Sequence, residues 1–495
     1  MSSFFWSTLS KILTAIVGFI SVPLLLGYYG KAEYGILSIA TACNGYMHLL
    51  DLGMNVGAVK FFSQWKAEGD IERVYRVART NITFYGLIAI INVIGLLALA
   101  FFGESLFSVT VEQFRQLQSC LVIIALFSLL SWGATTFNQL LIADKQMAFT
   151  MQIQCVLALL KGLLVALVFM CDLSLTEYFF FLTVSMSLLI VPYMLRCKRQ
   201  NLINSIKPAF YWKDFRVVFT FSLSIFALSL FQTTASQSRP IILSMFAVNG
   251  AETVADFRII EVVPQLIIMI GGTFSGIFLP KTSEMVARKD SLAIKEFAYK
   301  WTRYTTIVIS SMCFPFILCS SEVLAAYVGE DYSNLSVWMT IWCVSVLVQM
   351  HTTPGFALVL AHGKTKLLVK VTSVACILSI LLNAFLCKYI GVGSAIISYF
   401  IYTLVIIGLY YISFYKKILG LSRLRMFRSF LYPVILSVIT LGIVSKLPIT
   451  VENFDGINLR IAYIVVCIIK SSIWLSLYVT LLYWFKLFKF KELRK

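Results

Sequence analysis

The chain has 495 residues, of which 59% are hydrophobic and only 13% charged, and its formal net charge is +18. Soluble domains of this length do not reach such an apolar content, so the composition predicts a membrane-embedded protein. The basic residues lie in short gaps between apolar runs. That placement favours a role in membrane topology and contact with anionic lipids, and it argues against nucleic acid as a partner.

The chain begins with an apolar run from Ile12 to Leu26 that has no small-residue cleavage site behind it. It is therefore predicted to be the first membrane span and not a removed signal peptide. The eleven cysteines show no C-x-x-C spacing, and most lie inside apolar runs, as Cys120, Cys155 and Cys467 do. We interpret them as small buried hydrophobic residues and expect no disulfide framework, no metal site and no cofactor.

A membrane-crossing helix needs about 20 mostly apolar residues. The fold class predicted from this rule is all-α, a polytopic membrane protein with about 14 transmembrane helices. In chain order the candidate spans cover residues 9–27, 35–61, 80–102, 118–142, 149–171, 175–195, 217–247, 253–280, 304–320, 335–360, 367–387, 391–414, 429–446 and 461–485. The gaps on both sides are short, so the sequence predicts no sizeable domain outside the membrane.

Most of the 41 Lys and Arg residues fall in every second gap or at the two ends of the chain. The opposite gaps hold only Lys31, Arg115, Lys388, Lys446 and Arg460. Because cytoplasmic loops carry the excess of basic residues, the rich side is predicted to be cytoplasmic. Both termini then lie in the cytoplasm.

Several features recur at an offset of about 219 residues. Gly30-Lys31-Ala32-Glu33 returns as Asn249-Gly250-Ala251-Glu252, and Gly53-x-x-x-Gly57 returns as Gly272-x-x-x-Gly276. Thr135-Thr136, followed by the segment ending at Lys145, returns as Thr352-Thr353, followed by the segment ending at Lys364. A shared offset at three separated places indicates a duplication.

Six spans fit in each repeat, and an even number gives both copies the same orientation. The duplication therefore predicts two six-helix lobes related by a pseudo-twofold axis along the membrane normal, plus two additional C-terminal helices. The predicted segments are 1–200 for the first lobe, 201–420 for the second, and 421–495 for spans 13 and 14 with a basic cytoplasmic tail.

The sequence resembles the polysaccharide flippase branch of the multidrug/oligosaccharidyl-lipid/polysaccharide exporter superfamily. The resemblance is carried by the segment Leu26-Gly27-Tyr28-Tyr29-Gly30-Lys31-Ala32-Glu33-Tyr34-Gly35 and by Leu50-Asp51-Leu52-Gly53-Met54. Ala361-His362-Gly363-Lys364 and Gly391-Val392-Gly393-Ser394-Ala395 add to it. The similarity extends over essentially the whole chain.

Such a resemblance implies a transporter of the bacterial inner membrane and no enzymatic activity. The expected substrate is an O-antigen or capsule repeat unit carried on undecaprenyl pyrophosphate, moved from the cytoplasmic to the outer face by alternating access. Membrane lipids, and the polymerase and chain-length regulator of the same pathway, are the other implied partners. A murein-precursor flippase, a cation-coupled multidrug exporter of the same superfamily and a membrane glycan polymerase or ligase remain the alternatives.

Charged side chains inside the predicted spans are the candidate functional residues, because a charge at bilayer depth costs at least about 2.5–3.5 kcal/mol. Four are cations that we expect to bind an anionic substrate: Lys161, Arg239, Arg258 and Lys470. Lys60 and Lys281 end spans 2 and 8 at the cytoplasmic mouth, where they are further candidates for contact with the pyrophosphate. For each of these residues the alternative is that it forms a structural ion pair, or that it is present only because cytoplasmic loops are rich in basic residues.

Two buried acids and one histidine are candidates for coupling transport to a proton. Glu261 lies three residues from Arg258, so the two share a helix face and either form a structural pair or exchange a proton. Asp51 lies in the predicted span 2, with His48 and Asn55 on the same stripe. The alternative for this group is a hydrogen-bonded cluster that packs helices together.

Overall fold

The computed structural model describes residues 2–363, 365–454 and 458–487. These residues are 87% helical and contain no strand, so the predicted all-α class is confirmed. Lys364 of the repeated motif and the basic tail from residue 488 lie outside the described residues.

The described chain forms seventeen α-helices, numbered here in chain order. In the first half they are α1 (Ser2–Met47), α2 (Met54–Glu68), α3 (Ile71–Phe102), α4 (Val111–Ala143), α5 (Met147–Cys171), α6 (Leu175–Ser187), α7 (Ile190–Arg199), α8 (Trp212–Phe246) and α9 (Gly250–Ala287). In the second half they are α10 (Ser291–Leu318), α11 (Ser320–Tyr327), α12 (Ser336–Met350), α13 (Thr353–Ala361), α14 (Thr365–Ile390), α15 (Val392–Leu409), α16 (Arg423–Val444) and α17 (Leu459–Trp484).

Ten helical segments of the described residues are long and apolar enough to cross a membrane. An eleventh is possible if α10 and α11, which meet at 73°, form one broken span. The segment Phe5–Asp51 counts once, although its 47 residues correspond to about 70 Å of helix, roughly twice the apolar thickness of a bilayer. A many-span protein is thus confirmed, while fourteen spans remain a prediction.

The backbone of α1 breaks at Gly30, where φ is 78° and ψ is 171°. A positive φ of this kind is accessible to glycine at little cost. The break falls between the predicted spans 9–27 and 35–61, and neighbouring side chains hold it in place. The Tyr28 hydroxyl donates to Asp172 Oδ1 at 3.0 Å, and the Tyr29 hydroxyl donates to the carbonyl of Leu173 at 2.9 Å.

The chain divides into two compact units, the first ending at Ala255 and the second beginning at Asp256. In the first unit α1 packs against α5, α3 and α4 form an antiparallel hairpin, and α4 also contacts α6 and α7. Its core joins large apolar side chains of α2, α3, α4 and α8, including Phe62, Trp65, Trp132, Phe137 and Phe215. The predicted segments 1–200, 201–420 and 421–495 remain a hypothesis about the repeat.

Helix α8 packs along α1, α2 and α3 inside this first unit. Near its start, Asp214 pairs with Arg73 at 3.2 Å and with Arg76 at 2.8 Å. Near its end, the Ser108 amide donates to the carbonyl of Ser244 at 2.7 Å. Helices α2 and α8 approach each other closely, because a Cβ on Gly57 would overlap the Ser222 side chain.

In the second unit α14 and α15 form a hairpin, and α10 contacts both α12 and α16. The last helix, α17, packs on α11 and α16. Helix α15 continues as a π-helix over Tyr410–Ile418, a rare conformation that buries the rings of Tyr410 and Tyr415. The C-terminal helix pair is therefore an integral part of this unit.

Candidate substrate cavity

A cavity of about 270 Å³ lies within the first unit. Its walls come from the second half of α1, the turn that follows it, and from α3, α4, α5 and α6. Most of the polar lining groups are neutral, and they are Thr41, Asn44, Asn92, Ser128, Ser131 and Thr183. The remaining lining residues include Trp132, His48 and Lys161.

Lys161, in the middle of α5, lines the cavity with its side chain. Its ammonium group makes no hydrogen bond or ion pair with any residue in the described ranges, and no Asp or Glu lines the cavity. An unpaired ammonium in a site of low dielectric constant attracts an anion far more strongly than it would in water. The cavity is therefore suited to a negatively charged ligand.

The neutral groups around Lys161 are themselves ordered by hydrogen bonds. Asn92 donates to Ser128 at 2.9 Å, linking α3 to α4. Ser131 and Ser187 hydroxyls lie 3.0 Å apart and link α4 to α6. Amides and hydroxyls both donate and accept, which is the chemistry needed to bind sugar hydroxyl groups.

His48 reaches the cavity from a short 3₁₀ turn, His48–Asp51, that ends the first stretch of helix. Its ring packs against Trp132 with 5.2 Å between ring centroids. The continuous helix predicted over residues 35–61 is wrong at this point. Leu52 and Gly53 take left-handed conformations, with φ of 51° and 72°, and α2 begins only at Met54.

Asp51 lies beside the cavity and its carboxylate is held by two donors. The Tyr85 hydroxyl donates to Oδ1 at 2.5 Å, and the Asn55 amide donates to Oδ2 at 3.2 Å. The second contact resembles a helix cap, because it satisfies a free N–H in the first turn of α2. The sequence pattern predicts His48, Asp51 and Asn55 on one stripe of a helix. In the structure Asn55 contacts Asp51 through its backbone amide and not through its side chain.

Behind Tyr85 the hydrogen bonds continue into the helix pair α3–α4. Gln139 donates to the Tyr85 hydroxyl at 2.7 Å, and Asn81 donates to Gln139 at 2.6 Å. Tyr85, Gln139 and Asn81 are fully buried. Buried polar groups in contact with one another in this way fix a unique arrangement of the helices that carry them.

Arg239 lies in α8, directly before the proline that the helix contains at position 240. Arg239 is only 5% exposed, and its Nε donates to the carbonyl of Ser236 at 3.3 Å. Arg239 does not line the cavity around Lys161. The structure therefore places the two predicted cations at separate positions of the first unit.

Three predicted residues of the second unit, Arg258, Glu261 and Lys470, occur in ion pairs. Arg258 Nη1 lies 2.5 Å from Glu261 Oε2, so the two side chains form an ion pair, and Gln265 also donates to Glu261 at 3.2 Å. Lys470 Nζ lies 2.7 Å from Glu322 Oε1, a carboxylate that the sequence had suggested to be outside the spans.

The two lysines predicted at the cytoplasmic mouth are both exposed. The Lys60 ammonium lies 3.7 Å from the centroid of the Phe221 ring, a cation–π contact between α2 and α8. Among the described residues, no group of three or more His, Cys, Asp or Glu side chains is arranged to hold a metal ion.

Sequence reasoning did not identify Tyr85, Gln139, Asn92, Trp132 or Glu322 as site residues. The amides and the tyrosine carry no charge, so a search for buried charges passed over them. The usable signal was the presence of Asn81 and Asn92 in α3 and of Gln139 in α4, since uncharged amides inside apolar spans also need partners.

The fold of this chain is similar to the folds of several solved membrane transporters. The lipid II flippase MurJ in an inward closed conformation aligns with a TM-score of 0.70 and 12% identity, covering 96% of this chain and 98% of that one. An inward-facing multidrug resistance MATE family transporter of the MOP superfamily aligns with a TM-score of 0.68 and 13% identity, covering 81% and 96%. The MATE multidrug transporter DinF-BH aligns at 0.58 and 15%, covering 84% and 95%.

At these identities the likeness shows the fold alone, and it agrees with the resemblance read from the sequence motifs. No curated protein sequence matches the chain. The sequence profile described as "Polysaccharide biosynthesis protein" matches residues 1–286, which is more than half of the chain. This match includes the whole first unit with its Lys161 cavity, and the chain accordingly belongs to the polysaccharide biosynthesis protein family.

Proposed function

We propose that this protein is a flippase for an undecaprenyl-pyrophosphate-linked oligosaccharide, an O-antigen or capsule repeat unit. It would carry this lipid from the cytoplasmic to the outer face of the bacterial inner membrane by alternating access. Membership of the polysaccharide biosynthesis protein family supports the substrate class. The likeness to a lipid II flippase and to multidrug transporters supports a transport role over an enzymatic one.

The observation that carries the proposal is the composition of the Lys161 cavity. It combines one unpaired ammonium, no carboxylate, and several amides and hydroxyls. Moving sugars and pyrophosphate through hydrocarbon is prohibitive, because each unpaired polar group costs several kcal/mol. Within the cavity Lys161 balances negative charge, while Asn44 and Asn92 replace water at the sugar hydroxyls.

The remaining cations belong to the same proposal as further contacts along the path of the substrate. Lys60 and Lys281 are exposed and form no ion pair with a described residue, so they meet an incoming pyrophosphate without giving up a carboxylate. Arg258 and Lys470 already have carboxylate partners, and substrate would have to displace Glu261 or Glu322 to bind them. Arg239 offers a planar guanidinium that suits phosphate oxygens.

We further propose that the membrane potential drives export, with proton exchange at Asp51 or Glu261 as an aid and His48 as a neighbouring titratable group. Each negative charge that leaves a negative interior lowers its electrical free energy by about 2.3 kcal/mol per 100 mV. Transport in proteoliposomes should then accelerate when a potassium diffusion potential makes the substrate-loaded side negative. Rates that ignore both this potential and a pH gradient would exclude electrical and proton coupling.

The alternatives differ in the ligand. A multidrug exporter of cations would be expected to expose a carboxylate in the cavity, and none lines it. A murein-precursor flippase would carry a similar anionic headgroup, so the cavity alone does not distinguish it from an O-antigen flippase. A glycan polymerase or ligase remains the enzymatic alternative, without a specific observation in its favour.

The test is to delete the gene and identify the lipid-linked glycan that accumulates inside the cell. Lys161→Met should reproduce the deletion, reducing surface glycan by about tenfold or more, because a charged hydrogen bond contributes about 1.5–3 kcal/mol. Lys388→Met, which removes an exposed charge at the end of α14, should leave surface glycan unchanged. Normal surface glycan with Lys161→Met at wild-type protein levels would remove this cavity from the mechanism.

A further inference from the structure

The segment between α7 and α8 carries a cluster of exposed aromatic and aliphatic side chains. Ile206 is 43% exposed, Phe210 67% and Trp212 44%. The rings of Phe210 and Trp212 stack on each other with centroids 5.9 Å apart and an interplanar angle of 13°. Two stacked rings turned outwards at the first turn of a membrane helix suit the interface between headgroups and acyl chains.

The backbone of this segment is fixed to α3. The Tyr75 hydroxyl donates to the carbonyl of Asn201 at 2.8 Å, and Arg79 Nε donates to the carbonyl of Lys207 at 3.0 Å. Thr83 donates to the carbonyl of Ala209 at 2.7 Å and accepts from its amide at 3.0 Å. The segment therefore has a defined height along α3 and presents its side chains as a preformed surface.

Basic side chains surround the aromatic pair. The exposed cations of the segment and its borders are Lys198, Arg199, Lys207, Lys213 and Arg216. The one acid within the same stretch, Asp214, is already bound by Arg73 and Arg76. Its charge is thus balanced from α3, and the five exposed cations give this stretch a positive field.

We propose that this linker surface, formed by Ile206, Lys207, Phe210, Trp212 and Lys213, binds the phosphate groups of anionic phospholipids in the cytoplasmic leaflet. The lysines supply the electrostatic attraction, and the stacked rings set the depth at which the headgroup sits. A lipid is favoured over a soluble acidic partner, because the surface adjoins α8 at its first turn and combines charge with exposed apolar rings.

Binding of lipid at this position holds the connection between α7 and α8 at the membrane surface, together with the start of α3. The lipid site is independent of the cavity around Lys161, since the two share no residue. It also does not depend on the proposed function, so an absence of flipping would leave lipid binding intact.

The experiment uses the purified full-length protein and native mass spectrometry with phosphatidylglycerol and with phosphatidylcholine. The double variant Lys207→Gln, Lys213→Gln should bind phosphatidylglycerol about 10- to 25-fold more weakly, because a basic residue near an anionic surface contributes about 1 kcal/mol, or about fivefold. Binding of phosphatidylcholine should change less than twofold, and added salt should reduce the difference.

The matched control is Lys289→Gln, Lys295→Gln, which removes the same charge from two exposed lysines. Both lie in the second unit, outside the linker surface, so we expect a change below twofold. A further variant, Phe210→Ala with Trp212→Ala, should weaken binding of both lipids to a similar extent. Equal losses of phosphatidylglycerol in the two lysine variants, or unchanged binding in the first, would overturn the proposal.

Discussion

Asp51 lies in the same short turn as the cavity residue His48, and its surroundings show how a single acid is held at bilayer depth. Both of its oxygens accept a hydrogen bond, one from Tyr85 and one from the Asn55 amide. Hydrogen bonds to a charged group contribute about 1.5–3 kcal/mol, more than those between neutral groups. Tyr85 is thus the side chain whose loss should most directly affect the helix break at residues 48–53.

Tyr85→Phe should lower stability by about 1.5–3 kcal/mol, because it removes the donor to Asp51 and also leaves Gln139 without its acceptor. The measurement is the thermal unfolding midpoint of the purified protein in detergent. Tyr75→Phe is the matched control, since its hydroxyl donates to a backbone carbonyl at an exposed position. It should cost less than about 1 kcal/mol. Equal shifts for the two variants would contradict a special role for Tyr85.

The pair between Lys470 and Glu322 illustrates a different solution, in which two opposite charges compensate each other. Their side chains are 14% and 21% exposed, and the atoms are 2.7 Å apart. Removing one partner of such a pair typically costs about 3–5 kcal/mol, because the other charge remains desolvated, whereas replacing both by apolar groups is close to neutral.

Glu322→Gln should therefore lower the unfolding midpoint strongly, and Glu322→Leu combined with Lys470→Met should restore most of the loss. If the double variant also retains transport, the pair is structural; if it is stable but inactive, at least one of the two side chains takes part in transport. If the separate losses of Glu322→Leu and Lys470→Met simply add up in the double variant, the two side chains do not interact.

At the scale of helices, the first unit depends on one very close contact between α1 and the start of α9. A Cβ built on Gly35 would overlap the carbonyl oxygen of Ala251, which is backbone and cannot rotate away. Gly18 lies on the same helix and has no atom within 4 Å of the equivalent position. The two glycines allow the same substitution to be compared in a crowded and an open place.

Gly35→Ala should displace α1 from Ala251 and reduce both folded yield and the unfolding midpoint, with a cost of about 1–3 kcal/mol or more from overpacking. Gly18→Ala should be neutral or slightly stabilising, because alanine favours the helix. The measurement is size-exclusion recovery together with thermal unfolding. A tolerated Gly35→Ala would mean that the contact is looser than described.

Hydropathy and charge predicted the all-helical class, since a helix that spans lipid must be long and apolar. The same rules could not predict the break at residues 48–53, because it arises from two left-handed residues inside an apolar run. The ion-pair partner of Lys470 could also not be predicted from the sequence. Glu322 lies in the gap after a predicted span, and the 73° bend between α10 and α11 brings it back beside α17.

The candidate site was only partly predictable for a related reason. Lys161 was identified as a charge inside a span, whereas the cavity around it depends on which helices pack together. Periodicity specifies the face of one helix, but α1, α3, α4, α5 and α6 come to line one cavity only through the tertiary fold. Neutral groups such as Asn92 and Ser128 become part of a site only when these helices pack together. Their positions in the sequence alone do not predict the site.

For the molecule as a whole, the distribution of basic residues predicts orientation, and labelling can test it. Cys171 is the one cysteine exposed among the described residues, so Cys171→Ser gives a quiet background. Ser105, between α3 and α4, is predicted on the outside, and Ser291, at the start of α10, in the cytoplasm. Both serines are exposed.

A membrane-impermeant maleimide added to intact cells should label Ser105→Cys and leave Ser291→Cys unlabelled, and both should react after lysis. The expectation follows from the basic residues that flank Ser291, since positively charged loops are retained in the cytoplasm. The reverse pattern would invert the direction proposed for transport and would also move the linker surface to the outer leaflet. Orientation therefore decides from which side an anionic lipid first meets Lys60 and Lys281, and so whether the membrane potential favours its passage or opposes it.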